Sequence, residues 1–181
     1  MNALADWDVG NYLNTYFISS YQKVGTFRVA NGQKQGGNVA SYFCLPDGQV
    51  LHVLAGPVNA TTMLQEACWV VETWKLALLE KKEDPRQLLA FFAKAHADRL
   101  RQEHGLTLSE DHPLRNASTV DLTNFLDQSA SRMLSRQGRI HLLLARASPL
   151  KIEQVYRLVF EKILGETIST SPVVVAQTNI R

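Results

Sequence analysis

The chain has 181 residues, of which 45% are hydrophobic and 20% are charged, and 19 Lys and Arg residues against 17 Asp and Glu give a net charge of +2. This composition is typical of a globular protein that buries a real core, and it excludes short peptide-like scaffolds. The longest basic cluster is the pair Lys81-Lys82, which argues against a nucleic-acid partner.

The sequence carries no signal for a membrane or for secretion. No apolar run reaches the roughly 18 residues that a membrane span needs, and the first twenty positions contain Asp6 and Asp8 but neither Lys nor Arg. We therefore expect a cytoplasmic protein without a membrane partner, unless a segment upstream of Met1 carries a signal.

The first predicted elements are a helix, a strand and a loop. Residues 6–17 place apolar side chains three and four positions apart behind Asp6, which predicts a short amphipathic helix. Residues 18–29 are rich in Tyr, Phe, Val and Thr and predict a strand that is bent at Gly25. Residues 31–38 are polar and glycine-rich, so we expect a loop there.

A β-hairpin is predicted next. Two apolar, β-prone runs, residues 39–45 and 49–55, flank the turn sequence Pro46-Asp47-Gly48. Proline presets the backbone for the first turn position, aspartate bonds to its own backbone, and glycine takes the positive φ that the turn needs. Together the runs and the turn predict two antiparallel strands.

Two helices are predicted after the hairpin. Asn59 is a good N-cap for a helix that reaches about residue 80. The apolar face of this helix is spaced three and four throughout and consists of Met63, Leu64, Ala67, Cys68, Val71, Trp74 and Leu78. Asp84-Pro85 begins a second helix that ends at Gly105, and the polar residues 105–118 predict a subdomain boundary.

The C-terminal part is predicted to mix helices and strands. Ser118 caps a helix whose apolar pattern ends at Gly138. Residues 140–145, IHLLLA, form a short apolar run between turn signals, which predicts a buried strand. An amphipathic helix over 151–164 and a strand over 173–175 complete the pattern.

Two stretches resemble a thioredoxin-like domain. Residues 8–18, DVGNYLNTYFI, are similar to the helix end and the Leu-Asn-x-x-Phe-Val approach to the third strand of that family. Residues 42–50, YFCLPDGQV, are similar to its Phe-Leu-x-Pro-Asp-Gly-x-Val hairpin, and Gly56 falls where the family has a glycine before its last helix. The resemblance covers about residues 6–80, and it implies an α/β fold with a thioredoxin-like mixed sheet and flanking helices.

The resemblance divides the chain into three parts. Residues 1–83 are the thioredoxin-like part, residues 84–137 an inserted helical segment, and residues 138–181 a strand-helix-strand part packed on the first. The sheet of the family needs a central strand that would precede Met1, and without it the hairpin has an unpaired edge. Either the sequence is a fragment, or residues 140–145 supply that strand.

The resemblance also carries expectations about function. Active members have a Cys-x-x-Cys pair and a cis-proline where this chain reads Gly37-Asn38-Val39-Ala40, and the sequence has neither. It therefore implies a redox-inactive, non-catalytic module with a protein-interaction or scaffold role in a larger polypeptide. The alternative is a thiol-disulfide oxidoreductase whose Cys-x-x-Cys pair lies upstream of Met1.

The two cysteines offer one catalytic candidate. Cys44 lies in the hairpin, and we expect a buried structural thiol rather than a catalytic one, because the nearby Asp47 supplies an acid where a reactive thiolate needs a cation. Cys68 lies on the predicted apolar face and is expected in the core. The separation of the two matches no zinc-ligand spacing.

The five histidines show no metal-binding pattern along the chain. They are His52, His96, His104, His112 and His141, and no two of them have the spacing of a metal-binding helix. We therefore predict no metal site and no cofactor. His141 lies in an apolar run, where a buried imidazole needs a partner, and a satisfied core histidine is the interpretation.

Two tryptophans share the first long helix. Trp69 and Trp74 are five positions apart and therefore point in different directions. We predict that Trp74 is a core residue and that Trp69 is the more exposed, a candidate anchor for a protein interface.

Overall fold

The computed structural model describes residues 3–22, 28–30, 33–35, 38–80, 84–108, 114 and 117–168. Over these ranges the protein is mixed α/β, with helices packed on an antiparallel hairpin and a second, shorter hairpin before it. No helix in these ranges is both long and apolar enough to cross a membrane.

Helix α1, Trp7–Tyr16, confirms the predicted N-terminal helix. The Asp6 carboxylate accepts hydrogen bonds from the backbone N–H groups of Asp8 at 3.1 Å and Val9 at 3.3 Å. These two donors have no partner inside the helix, so the cap fixes where the helix begins.

The predicted strand over 18–29 is wrong along residues 18–22, which form no regular element. Ile18 and Tyr21 are fully exposed there. Aromatic and β-branched residues favour a strand only where a neighbouring strand or core receives them, and no described part of the chain covers Ile18 or Tyr21. Gly25 lies outside the described residues.

A short hairpin follows. Strand β1, Arg28–Ala30, pairs with strand β2, Gln33–Gln35, in antiparallel register. Part of the predicted loop over 31–38 is therefore a strand. Backbone pairing with β1 makes residues 33–35 a strand, although the glycine-rich composition of the segment predicted a loop.

The Pro-Asp-Gly hairpin is confirmed. Strand β3, Ala40–Cys44, pairs antiparallel with strand β4, Val50–Ala55. In the turn, the backbone N–H of Gly48 donates to the Leu45 carbonyl oxygen at 2.9 Å. Gly48 has a φ of 83°, a conformation that favours glycine over residues with a Cβ atom.

Both predicted long helices are also confirmed. Helix α2, Ala60–Leu79, begins behind Asn59, whose side-chain oxygen accepts a hydrogen bond from the Thr62 N–H at 2.8 Å. Helix α3, Pro85–His104, has Asp84 as its N-cap and ends at Gly105 in the left-handed conformation. Local capping chemistry thus sets both ends of α3.

The buried face of α2 differs from the predicted one. Its buried residues are Met63, Glu66, Ala67, Val70, Val71, Thr73 and Ala77. Trp74 and Leu78, which the spacing placed on the apolar face, are exposed. Compared with the predicted face, the buried face is rotated around the helix axis toward Glu66. The Glu66 carboxylate tolerates burial because it has ionic partners inside the protein.

Three helices follow the polar connection, and they correct the predicted C-terminal part. They are α4, Thr119–Asp127, α5, Ser129–Arg132, and α6, Arg136–Ala147. The predicted strand over 140–145 is wrong, because those residues form the middle of α6. Gly138 lies in the first turn of α6 instead of ending a helix, so the division between residues 137 and 138 falls inside a helix.

The physical reason is that α6 is buried nearly all round. Residues 140–144 are all buried, and a short apolar run of this kind looks the same in a buried helix as in a buried strand. The Ser135 hydroxyl accepts a hydrogen bond from the Gly138 N–H at 3.0 Å, which caps the helix. Residues 140–145 therefore do not supply the central strand of a thioredoxin-like sheet.

The last described element confirms the predicted helix over 151–164. Helix α7, Ile152–Arg157, continues directly into a π-helical turn, Leu158–Ile163. The predicted strand over 173–175 lies outside the described residues.

The core consists of two clusters that meet on β4. Val50 and Val53 pack with residues of α4, α6 and α7, whereas Leu51 and Leu54 pack with residues of α1, α2 and α3. All of β4 except Ala55 is buried. A strand covered on both sides in this way has no solvent-facing position for a polar side chain.

Helices α3 and α6 approach closely at a glycine. A Cβ atom built on Gly138 would lie 2.8 Å from Nε2 of His104, so the glycine leaves room for that ring. This close approach joins the C-terminal end of α3 to the first turn of α6.

Leu143 tests the placement of α6. Its side chain is fully buried, so Leu143→Ala should lower the free energy of unfolding by about 3 kcal/mol. Met133 is 88% exposed, and Met133→Ala should change it by less than about 0.5 kcal/mol. Urea denaturation measures both, and equal effects of the two substitutions would contradict the burial of α6.

Candidate functional site

Three buried histidines meet at the centre of the fold. His52 comes from β4, His96 from α3 and His141 from α6, and none exposes more than 1% of its surface. One ring nitrogen of each lies within 4.8 Å of the others. We call these residues the three-histidine centre.

Two of the rings are in direct contact. His96 Nδ1 lies 2.8 Å from His141 Nδ1, and His96 Nε2 lies 2.8 Å from the backbone oxygen of Leu51. A carbonyl oxygen only accepts hydrogen bonds, so His96 carries its hydrogen on Nε2 and keeps a lone pair on Nδ1. The hydrogen between the two rings therefore belongs to His141 Nδ1.

His52 is held from outside the centre by Glu66. His52 Nε2 lies 3.0 Å from a carboxylate oxygen of Glu66 on α2. The neutral ring donates from Nε2, which leaves the lone pair on Nδ1. Among the described residues, His52 Nδ1 has no hydrogen-bond partner although it is buried.

His141 Nε2 is the second ring nitrogen of the centre without a hydrogen-bond partner among the described residues. A carboxylate oxygen of Glu103 lies 4.0 Å from it. When His141 carries its hydrogen on Nδ1, two acceptors face each other across this gap. The outward nitrogen of every ring in the centre thus faces an oxygen atom, a carbonyl for His96 and a carboxylate for the other two.

Arg99 links the two carboxylates. Its terminal nitrogens donate to both oxygens of Glu66, the second at 2.9 Å, and its Nε donates to Glu103 at 2.7 Å. A forked contact of this kind fixes both carboxylates in orientation as well as in charge.

Trp69 covers the centre. Its ring centroid lies 5.0 Å from those of His52 and His96 and 6.3 Å from that of His141, and the Arg99 guanidinium lies 4.9 Å from it. The expected order of exposure is reversed, because Trp69 is partly buried and Trp74 is 43% exposed. Packing against the histidines is the reason.

Burial keeps all three imidazoles neutral. Desolvation lowers the pKa of His52, although the neighbouring Glu66 carboxylate opposes the effect. Desolvation, assisted by the neighbouring His52 ring, lowers the pKa of His96 to about 3, and burial beside His96 lowers the pKa of His141. A neutral imidazole is the form that binds metal ions.

Glu66 stays ionised despite its burial. Desolvation alone would raise its pKa, but hydrogen bonds from His52 and Arg99 outweigh that effect and hold the pKa well below its usual range. An ionised carboxylate that accepts from the outward N–H of a histidine makes the inward nitrogen a better metal ligand.

Cys44 is separate from this chemistry. It is a free, half-buried thiol, and burial, with smaller effects of Glu153 and Asp47, raises its pKa to about 11. It is therefore protonated at neutral pH, whereas nucleophilic cysteines act as thiolates. Cys68 is also free and only partly buried, where the sequence predicted a core residue.

The spacing of the histidines along the sequence does not predict that they meet. His52, His96 and His141 lie on three elements that are distant in sequence, so no local spacing marks them as a set. The usable signal was that His52 and His141 interrupt apolar runs. Of the others, His104 packs over Gly138, and His112 lies outside the described residues.

Comparison with known proteins leaves the centre to be interpreted from its own geometry. No protein family, curated protein or solved structure matches this chain. The thioredoxin-like resemblance of residues 6–80 therefore stays a prediction.

The stability of the protein at acid pH tests whether the centre is neutral. The pKa of His96 is about 3 in the folded chain and about 6.5 in the unfolded one, so the unfolded state binds more protons as the pH falls below about 6.5. The free energy of unfolding therefore has its full value above about pH 6.5 and decreases as the pH falls below it. We expect the free energy of unfolding in EDTA to drop by about 1 kcal/mol or more between about pH 7.5 and about pH 5.5.

Urea denaturation at the two pH values measures this drop. His104→Gln is the control and should keep it, because His104 lies outside the centre. Identical free energies at both pH values would contradict a neutral, buried centre.

Proposed function

We propose that the protein binds one transition-metal ion through His52, His96 and His141. The observation that supports this most directly is the convergence of three buried imidazole nitrogens within 4.8 Å. Histidine is the commonest protein ligand for such ions, and its bonds to zinc are roughly 2.0–2.1 Å long.

Hydrogen bonding alone leaves the centre incompletely satisfied. His52 Nδ1 and His141 Nε2 lack partners among the described residues, and each buried, unpaired polar atom costs about 1–3 kcal/mol. If His141 moves its hydrogen from Nδ1 to Nε2, that hydrogen faces Glu103 and all three Nδ1 atoms hold lone pairs. A metal ion at the Nδ1 atoms then uses every nitrogen of the three rings.

The centre requires a small movement to take the ion. Nitrogens that bind one tetrahedral ion are roughly 3.3 Å apart, whereas His96 Nδ1 and His141 Nδ1 are 2.8 Å apart. These two rings therefore have to separate by about half an ångström, and nitrogens of the set that lie up to 4.8 Å apart have to approach by as much as about 1.5 Å, which side-chain rotation provides.

The donor set defines the class of ion. Three neutral nitrogens suit Zn²⁺, Co²⁺, Ni²⁺ and copper, whereas Mg²⁺ and Ca²⁺ prefer oxygen ligands. Because the ligands come from β4, α3 and α6, the bound ion ties three separate elements together, and its binding free energy adds to the stability of the fold.

Metal titration tests this proposal. We expect EDTA-treated protein to bind one equivalent of Zn²⁺ by calorimetry, and its free energy of unfolding to rise by about 2.7 kcal/mol at 100 times the dissociation constant. His96→Gln and His141→Gln should abolish binding, and His104→Gln should leave it intact.

A fourth variant covers the case in which the ligand variants fail to fold. Glu66→Gln keeps all three ligands and loses the carboxylate behind His52, so the affinity for Zn²⁺ should fall by about 10–100-fold. Wild-type protein that takes up no stoichiometric metal, or a His104→Gln variant that loses binding as fully as the ligand variants, would contradict the proposal.

A second proposal is the redox-inactive, thioredoxin-like interaction module that the sequence resemblance implies. Two observations support it: the high pKa of the Cys44 thiol, and an open groove of about 370 Å³ beside α1 that includes Leu64 and Trp7, whose surface is 77% exposed. Exposed tryptophan is favoured at protein interfaces.

Thiol labelling tests the redox-inactive part of this second proposal. In a Cys68→Ser variant, the remaining Cys44 should react with a thiol reagent at neutral pH much more slowly than after unfolding, because little thiolate is present. The Cys44→Ser variant measures the contribution of Cys68. Native labelling of Cys44 as fast as that of the unfolded chain would contradict a redox-inactive role.

A further inference from the structure

A continuous chain of charged groups joins one metal-ligand candidate to another. It begins at His52, which donates to Glu66, and it passes through Arg99 to Glu103. It ends where Glu103 lies 4.0 Å from His141. We call it the Glu66–Arg99–Glu103 chain.

The Glu66–Arg99–Glu103 chain connects the three-histidine centre to solvent. The exposed fraction of the side chain is 0% for His52, 11% for Glu66, 19% for Arg99 and 39% for Glu103. Elsewhere Trp69 covers one side of the centre and the core clusters lie on both sides of β4, while the Gln137 amide nitrogen lies 3.5 Å from His52 Nε2 and donates to the Val53 carbonyl oxygen. A polar path from solvent to the histidines therefore runs along the two carboxylates that Arg99 joins.

Arg99 closes this path without touching the ligands. Its guanidinium spans the two carboxylates and lies over Trp69, and its contacts reach the histidines only through the carboxylates. Rotation of this one side chain away from Glu66 requires no backbone movement. It leaves two carboxylates facing the opening, where their charge attracts a cation.

We infer that Arg99 is a gate that controls how fast the metal ion enters and leaves the three-histidine centre. The inference rests on the proposed metal binding and adds its regulation. When the Arg99 guanidinium binds both Glu66 and Glu103, the ion cannot exchange with solvent. When it rotates away from Glu66, the two carboxylates guide the ion between solvent and the ring nitrogens.

The rival explanation is that Arg99 is only a salt bridge between α2 and α3. Such a bridge would affect the free energy of unfolding and leave the kinetics of metal exchange unchanged. A gate instead changes the rates of metal uptake and release by the same factor. The ratio of the two rates, which sets the affinity, then stays nearly constant.

The fluorescence of Trp69 can report metal binding at the centre. The chain has three tryptophans, so replacing the two exposed ones, Trp7 and Trp74, by Phe leaves Trp69 as the single fluorophore beside the centre. Co²⁺ that binds at the histidines should quench it. Stopped-flow mixing with Co²⁺ then gives the rate of uptake, and mixing the loaded protein with excess EDTA gives the rate of release.

The decisive variant is Arg99→Lys, which keeps the positive charge but cannot span both carboxylates. We expect uptake and release to be about tenfold faster, which corresponds to the loss of one charge-assisted hydrogen bond, and the affinity to stay within about threefold. Arg101→Lys is the matched control, since Arg101 lies on the same helix, is exposed and pairs only with Asp98 among the described residues. Its rates should equal those of the wild type.

Glu103→Gln keeps the inference testable if Arg99→Lys does not fold. It removes the outer, more exposed contact of Arg99 and should accelerate both uptake and release, by less than Arg99→Lys does. Faster release without faster uptake would show only the lost contact between Glu103 and His141 and would overturn the gate. Unchanged exchange rates in both variants, with metal still bound, would overturn the gate and leave the proposed function intact. Wild-type protein that binds neither Co²⁺ nor Zn²⁺ would overturn both.

Discussion

Strand β4 is covered by a core cluster on each side, and a polar side chain on it must find all of its partners inside the protein. His52 meets this requirement through Glu66 on one nitrogen, and among the described residues it has no hydrogen-bond partner on the other. The close approach of α3 and α6 sets His96 and His141 beside it. The position of the whole centre thus follows from the burial of one strand.

The charges around the centre depend on each other. Burial favours neutral histidines, and the same burial would favour a protonated Glu66 if Arg99 were absent. Arg99 in turn is partly buried and is stabilised as a cation by the two carboxylates. Removing any one member therefore leaves a buried group without its counter-charge.

Local chemistry made most of the secondary structure predictable. The caps at Asp6, Asn59 and Asp84 and the turn at Gly48 act within a few residues, and all four are present as predicted. Helix α6 was predicted as a strand because its apolar run is buried on every side and carries no periodic signal. The three-histidine centre was missed for a different reason, since its members meet only through the packing of three elements distant in sequence.

The centre also limits what the thioredoxin-like resemblance can explain. Residues 6–80 contain His52 and the carboxylate behind it, but His96 and His141 come from α3 and α6, which lie beyond that stretch. A module built from residues 6–80 alone would bury one histidine with an unpaired nitrogen against a missing core. The chemistry of this protein therefore belongs to the combination of the hairpin with the later helices, and the helices are required for the centre as much as the hairpin is.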